Sequence, residues 1–411
     1  MKNLFYFLIP LFLIFYLSSF TFQKAKAQDL PHPDSVEMLI NSMAIQIEAT
    51  QGLNDMYNFD FRSAESQFSW IKRHYPEHPL GYFLMGLSNF WKMMPNEDIT
   101  TYDGIFNNYM DTTITYAEKI FDDAEKKSPK QIEAAFFLSA AYGFKGRLES
   151  NRRNWTAATI AGKRALNYLE DARGYGDLSP ELLFGDGLYN YYVEWIPENY
   201  GELKPIFWFF KGGDKEKGIK QLEEVTAEGF YTKTEAQTFL IRIYDSEAKE
   251  DPMYREKALN LAGYLHQSYP KNAFFHRQYL KLLYLTGDGN KTIEESKKAL
   301  ELIEQNAFGY EGTIGRYAAF FLGSHNFRAL RNYEEAKKYL EQAVQFGESA
   351  DAQDSGYYLH SLAYLGQIAH IEKDYMAAKG YYEKIKNHAN RKHPTKKEAK
   401  EYLRENRKLF K

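Results

Sequence analysis

The sequence predicts an all-α fold, a superhelical solenoid of about eight helical hairpins closed by a C-terminal capping helix. Three observations predict it. One short pattern recurs along the 411 residues, and its small residue falls at positions 64, 117, 158, 218, 258, 296, 336 and 378. Five of the seven gaps lie within two residues of 40, which chance placement would not give. Each copy spaces its apolar positions by three, four and three, one stripe of an α-helix, and a second helical stretch precedes it.

The N-terminus reads as an export signal. Met1-Lys2-Asn3 precedes an apolar run from Leu4 to Phe22, and the small-residue step Ala25-Lys26-Ala27 follows. A basic start, an apolar middle and an A-x-A end are the parts of a secretory signal peptide. Cleavage after Ala27 and retention as an anchor both stay open, because the 19 apolar residues are just enough to cross a bilayer. Either way residues 28–411 are expected outside the cytoplasm, exported and periplasmic or attached to the cell envelope. Removing residues 1–27 takes away Lys2, Lys24 and Lys26 and moves the net charge from −3 to −6. No later segment is a membrane candidate, since charges interrupt every other apolar run.

The hairpins are expected over residues 28–390. The clearest second helices start at Asp60 (Phe61, Ala64, Phe68, Ile71), Asn332 (Tyr333, Ala336, Leu340, Ala343) and Asp374 (Tyr375, Ala378, Tyr382, Ile385). Copies starting at Thr113 (Ile114, Ala117, Phe121) and Thr292 (Ile293, Ser296, Leu300) fit as well, and weaker ones start at Asn154, Asp214 and Tyr254. Asp, Asn or Thr caps each helix, and the small residue sits where a neighbouring helix must come close. First helices are expected at 272–286, 312–328 and 356–371.

In the last copy Leu362, Leu365, Gly366 and Ala369 precede Ala378, Tyr382 and Ile385, with twelve residues from Gly366 to Ala378. Tyr75-Pro76 and Tyr269-Pro270 stand where a unit would close. In these residues the chain resembles the tetratricopeptide repeat family over roughly residues 35–390, with periods near 40 in place of the family's usual 34. The resemblance implies a right-handed superhelix whose concave groove takes protein or peptide partners.

Two gaps exceed the period. One holds an insertion near 94–110, with Pro95 and Gly104; the other spans a central block whose insertion lies near 196–213. That block carries Phe184-Gly185-Asp186-Gly187-Leu188-Tyr189-Asn190, then Pro205-Ile206-Phe207-Trp208-Phe209-Phe210 and Gly212-Gly213-Asp214. It resembles the corresponding part of a eukaryotic tetratricopeptide family linked to inclusion-body clearance, which implies no catalytic residue. From Lys386 to Lys411 the tail carries ten Lys/Arg against three Asp/Glu, and residues 391–411 read as a basic capping helix.

Composition and motif searches point away from chemistry. With no cysteine, a disulfide scaffold, a thiolate zinc site and a thiol nucleophile are excluded, and the near-balanced charge argues against a nucleic-acid binder. Gly185-x-Gly187 lacks the third glycine of a dinucleotide fingerprint and reads as close helix packing. No Walker A sequence, G-x-S-x-G elbow or H-E-x-x-H occurs. His74 and His78 flank Pro76 and belong to a turn, and Glu294-Glu295 and Glu334-Glu335 read as solvated helix faces. No catalytic residue, cofactor or metal site is expected.

The remaining candidates are binding residues. Aligning the last two units on their small residues turns Phe321, His325 and Arg328 inward from one, and His360, Gln367 and His370 inward from the next. The carboxylate-clamp set of chaperone-tail binders is not matched, because Phe321 and Ala363 occupy two of its positions. Phe207, Trp208 and Phe209 form a second candidate, either a plug between repeats or a contact for a partner or a membrane surface. The expected function is a non-catalytic envelope scaffold for protein or peptide partners, without nucleic acid. The alternative is a small-molecule, lipid or glycan-uptake accessory using the central aromatic block.

Overall fold

The computed structural model describes residues 37–201, 204 and 212–410. The signal segment and Phe207, Trp208 and Phe209 lie outside the described residues. The described chain holds seventeen α-helices and no strand. They form eight hairpins: α1 (Met43–Tyr57) with α2 (Phe61–His74), α3 (Pro79–Met93) with α4 (Asp103–Asp123), α5 (Pro129–Asn151) with α6 (Trp155–Ala172), and α7 (Leu182–Asn199) with α8 (Lys215–Glu228). Then come α9 (Lys233–Glu247) with α10 (Met253–Ser268), α11 (Ala273–Thr286) with α12 (Gly289–Glu304), α13 (Gly312–His325) with α14 (Tyr333–Ser349), and α15 (Gly356–Ile371) with α16 (Tyr375–His388). The capping helix is α17 (Pro394–Glu405). The helices therefore build a helical-repeat solenoid, and the chain divides into two compact units at Leu261/Ala262.

All eight periodic small residues lie on second helices, and all are buried. The reason is visible at two glycines of the partner helices. A Cβ on Gly323 would come within 2.7 Å of the Leu340 side chain, and one on Gly366 within 2.8 Å of the Tyr382 ring. First and second helices touch at nearly backbone distance, so bulk is tolerated on only one side of each crossing.

The turn inside the hairpin also repeats. Phe59, Arg153, Arg331 and Lys373 take left-handed φ of 63°, 60°, 53° and 63°, and Gly287 takes 81°. The next residue in each case is Asp or Asn at the N-cap: Asp60, Asn154, Asn332, Asp374 and Asp288. All but Asp60 accept a hydrogen bond from the N–H three residues on. The left-handed residue ends one helix and the Asx side chain starts the next. Two expected caps are corrected by this rule. Thr113 lies deep inside α4 and its hydroxyl donates to the Tyr109 carbonyl, while Asp288, not Thr292, caps α12.

The first insertion is a loop over 94–102 followed by extra turns at the start of α4. Arg152 fixes it, with its guanidinium bidentate on Asp103 at 2.6 and 2.7 Å and donating to the carbonyls of Glu97 and Ile99.

In the first unit the inner helices are enclosed. Every residue of α5 from Ile132 to Phe144 is buried. Glu235 of α9 accepts from Trp91 Nε1 of α3 at 2.7 Å and from the Tyr57 hydroxyl of α1 at 3.2 Å. The chain's own Leu39 and Ile40 are buried too, with their N–H groups on the Glu133 carboxylate at 3.1 and 2.9 Å. An open groove along these hairpins, as the resemblance implies, is thus closed by the molecule's own residues.

Candidate functional site

The second unit presents a concavity of about 340 Å³ between the sixth and seventh hairpins. Tyr284, Gly287, Thr292 and Ile293 line one side; Phe321, Ser324, His325 and Arg328 line the other. Tyr284 and Phe321 stack at 4.2 Å with planes 13° apart, and the Tyr284 hydroxyl lies 3.3 Å from Ser324 Oγ. The chain leaves α13 through a π-helical turn, Asn326–Leu330. That wide turn adds a residue: Asn332 N–H reaches back six residues to the Asn326 carbonyl, where the simpler hairpins reach back five, as Asp374 does to Ala369. The surplus residue swings Arg328 out to the rim, where it is exposed.

The six inward-facing residues expected from sequence separate into two groups. His325 and Arg328 do line the concavity, and Phe321 lies beneath it as a core residue only 1% exposed, so it is no contact anchor. His360, Gln367 and His370 face α17 instead. Gln367 donates to Glu398 at 3.4 Å, His370 Nδ1 lies 2.9 Å from the Tyr402 hydroxyl, and the His360 ring packs 5.8 Å from His393. The capping helix takes the place that the next hairpin's first helix would fill, and these three residues hold it there.

A concavity of about 510 Å³ lies in the first unit, lined by Leu39, Tyr75, His78, Lys119, Lys130 and Glu133 among others. His78 caps α3 with its ring nitrogen and lies 3.6 Å from Glu133. His74 is the last residue of α2 and contacts the Trp70 carbonyl, so of the two histidines expected in a turn only His78 lies in it, and the two do not converge.

One expectation is overturned. Glu294 is solvated, but Glu295 is buried between His266 and His276, whose Nε2 atoms lie 3.3 and 3.2 Å from Glu295 Oε2. The stripe that buries Ser296 turns the preceding residue toward α10 and α11 as well. Burial pushes the His276 ring down from its ordinary value. For Glu295 burial acts upward, but the two imidazoles and Lys298 outweigh it and hold the carboxyl well below the usual range.

Sequence reasoning also missed the buried glutamates Glu133, Glu181 and Glu235. Glu181 accepts from the Phe230 and Thr232 N–H groups and from the Thr232 hydroxyl; burial raises its pKa to about 8 against the pull of those donors. No local pattern marks such residues, because their donors lie 49 to 178 positions away.

No protein-family model and no curated protein matches the sequence. Among solved structures the chain is similar to a human IFIT1 dimer with PPP-AAAA, at 12% identity over 79% of this chain and 68% of that one, with a TM-score of 0.39. A human IFIT1 dimer with m7Gppp-AAAA is similar at 12% identity over 79% and 67%, with a TM-score of 0.41. The TPR domain of P58(IPK) is similar at 12% identity over 89% and 99%, with a TM-score of 0.24. At these TM-scores the likenesses carry no argument, and the fold rests on the helices and turns described above.

Proposed function

We propose that the protein is a non-catalytic scaffold of the cell envelope that binds an extended protein segment in the concavity between the sixth and seventh hairpins. The observation that carries the reading is the π-helical turn. It places an exposed guanidinium, Arg328, beside half-buried His325 over a floor of stacked Tyr284 and Phe321. An apolar floor with a guanidinium and an imidazole on its rim suits a peptide carrying an apolar side chain next to a carboxylate. Leu330, in the same turn, is 60% exposed and extends the apolar surface. The export reading rests on the signal-like residues 1–27, and among the described residues no helix is long and apolar enough to cross a membrane.

The test is selection of a peptide library on the full chain, then affinity capture from envelope extract. Peptides should share an acidic residue beside an apolar one, and Arg328→Glu should weaken them by roughly tenfold or more, as loss and reversal of a charge-assisted contact requires. Binding that is indifferent to Arg328→Glu and His325→Ala would put the partner elsewhere.

A small-molecule carrier is the second reading, favoured by the 510 Å³ concavity with Lys119 and Lys130 at its wall. Native mass spectrometry of the freshly purified full chain decides it, since a carrier retains its cargo as added mass.

A further inference from the structure

The three helices α10, α11 and α12 bring His266, His276 and Glu295 together, with one ligand atom from each within 4.8 Å of the others. The Tyr310 hydroxyl lies 3.1 Å from His276 Nδ1 and so holds the ring with its other nitrogen toward Glu295. His276 Nε2 faces Glu295 Oε2 at 3.2 Å, and both atoms are buried and without a hydrogen bond. Buried polar atoms are normally satisfied, and two that converge on one point without bonding each other are placed as ligands to a third atom between them.

We propose that His266, His276 and Glu295 bind a divalent transition-metal ion, zinc by its donor set, as a clip joining α10, α11 and α12. Two imidazoles and one carboxylate are a zinc ligand set. Tetrahedral zinc with bonds near 2.0–2.1 Å separates its ligand atoms by about 3.3 Å. The nitrogen-to-Oε2 distances here, 3.3 Å from His266 and 3.2 Å from His276, match that edge. The outer contacts fit as well. Tyr310 holds the far nitrogen of His276, and Lys298 takes Glu295 Oε1 at 2.9 Å, leaving Oε2 for the ion. Lys298 also pairs with Glu294 at 2.7 Å, which shares its charge away from the site. The two rings now stack at 4.3 Å, so uptake turns the less buried one, His266, whose Nδ1 is also without a partner.

The experiment uses the full chain, stripped with a chelator and titrated with zinc chloride by calorimetry and with cobalt chloride by visible spectroscopy. One ion per chain is expected, with the intense visible bands of tetrahedral cobalt. Glu295→Gln and His276→Asn should abolish both, and Tyr310→Phe should weaken affinity by roughly 10–100-fold. Circular dichroism checks that the variants fold. Should they not, X-ray absorption of the zinc-loaded wild-type chain decides, since the clip requires scattering from two imidazoles. No binding, binding that survives in the folded variants, or a spectrum without imidazole scattering overturns the proposal.

Discussion

Gly187 of α7 and Gly218 of α8 press on each other's backbone. A Cβ on Gly187 would lie 3.0 Å from the Gly218 carbonyl oxygen, and one on Gly218 would lie 2.6 Å from the Gly187 carbonyl oxygen. Backbone cannot rotate aside as a side chain can, so adding a methyl must spread the two helices. Gly218→Ala is therefore expected to cost about 1–3 kcal/mol, the range for overpacking a core. Gly104→Ala, where an added Cβ meets nothing within 4 Å, is the control. Urea unfolding of both variants checks the contrast, and equal midpoints would refute the close crossing.

The repeated hairpin turn makes a prediction of opposite sign. Lys373 is exposed and holds a left-handed φ of 63°, a conformation that strains any side chain with a Cβ. Lys373→Gly should raise stability by up to about 1 kcal/mol, and Gly287→Ala, at φ 81°, should lower it by about the same amount. Thermal melts of the two variants measure this directly. A destabilising glycine at 373 would mean that the turn is held by something other than its φ.

Much of this repeat was readable because it is local. Asp374, Ala378, Tyr382 and Ile385 share one helix, and every rule that places them reaches no further than the next helix. The turn itself was only half readable: the Asx cap has a sequence signature, but Lys373 and Arg331 give no sign of a left-handed φ. Three of the six inward-facing residues, His360, Gln367 and His370, were misplaced for a different reason. Aligning the last two hairpins assumes that a groove continues past α15, and the tail that caps the solenoid covers His360 and His370 instead. Glu295 escaped because a charged pair such as Glu294-Glu295 reads as solvent-facing unless the partners from α10 and α11 are known.

Glu235 ties three hairpins of the first unit through a single carboxylate oxygen, which accepts from both Trp91 and Tyr57. Removing the acceptor takes this oxygen away from two buried donors, and a buried hydrogen bond lost without replacement costs about 1–3 kcal/mol. Glu235→Ala should therefore lose about 2–5 kcal/mol, more than Glu235→Gln, which keeps a carbonyl oxygen in place. Denaturation followed by far-ultraviolet circular dichroism ranks the two. If the alanine variant is no worse than the glutamine one, the interior does not depend on that oxygen.

Glu181 links stability to pH. Burial raises its carboxyl from the ordinary 4.5 to about 8 in the folded chain. Between those values the folded state holds a proton that the unfolded state has released, so this group's contribution is complete below pH 4.5 and is lost as pH climbs toward 8. The slope cannot exceed about 1.4 kcal/mol per pH unit for one proton. The neighbouring Tyr231 hydroxyl is pushed well above its usual value by burial and stays neutral throughout, so it adds no slope of its own. Asp186 and Glu235, also raised by burial, tilt the curve the same way, so the decisive quantity is a difference. Unfolding free energies of wild type and Glu181→Gln, measured by urea from pH 5 to 8, should show wild type losing stability relative to the variant as pH rises, because only wild type loses this proton. Curves that stay parallel would show that the Phe230 and Thr232 donors keep the carboxylate ionised despite its burial.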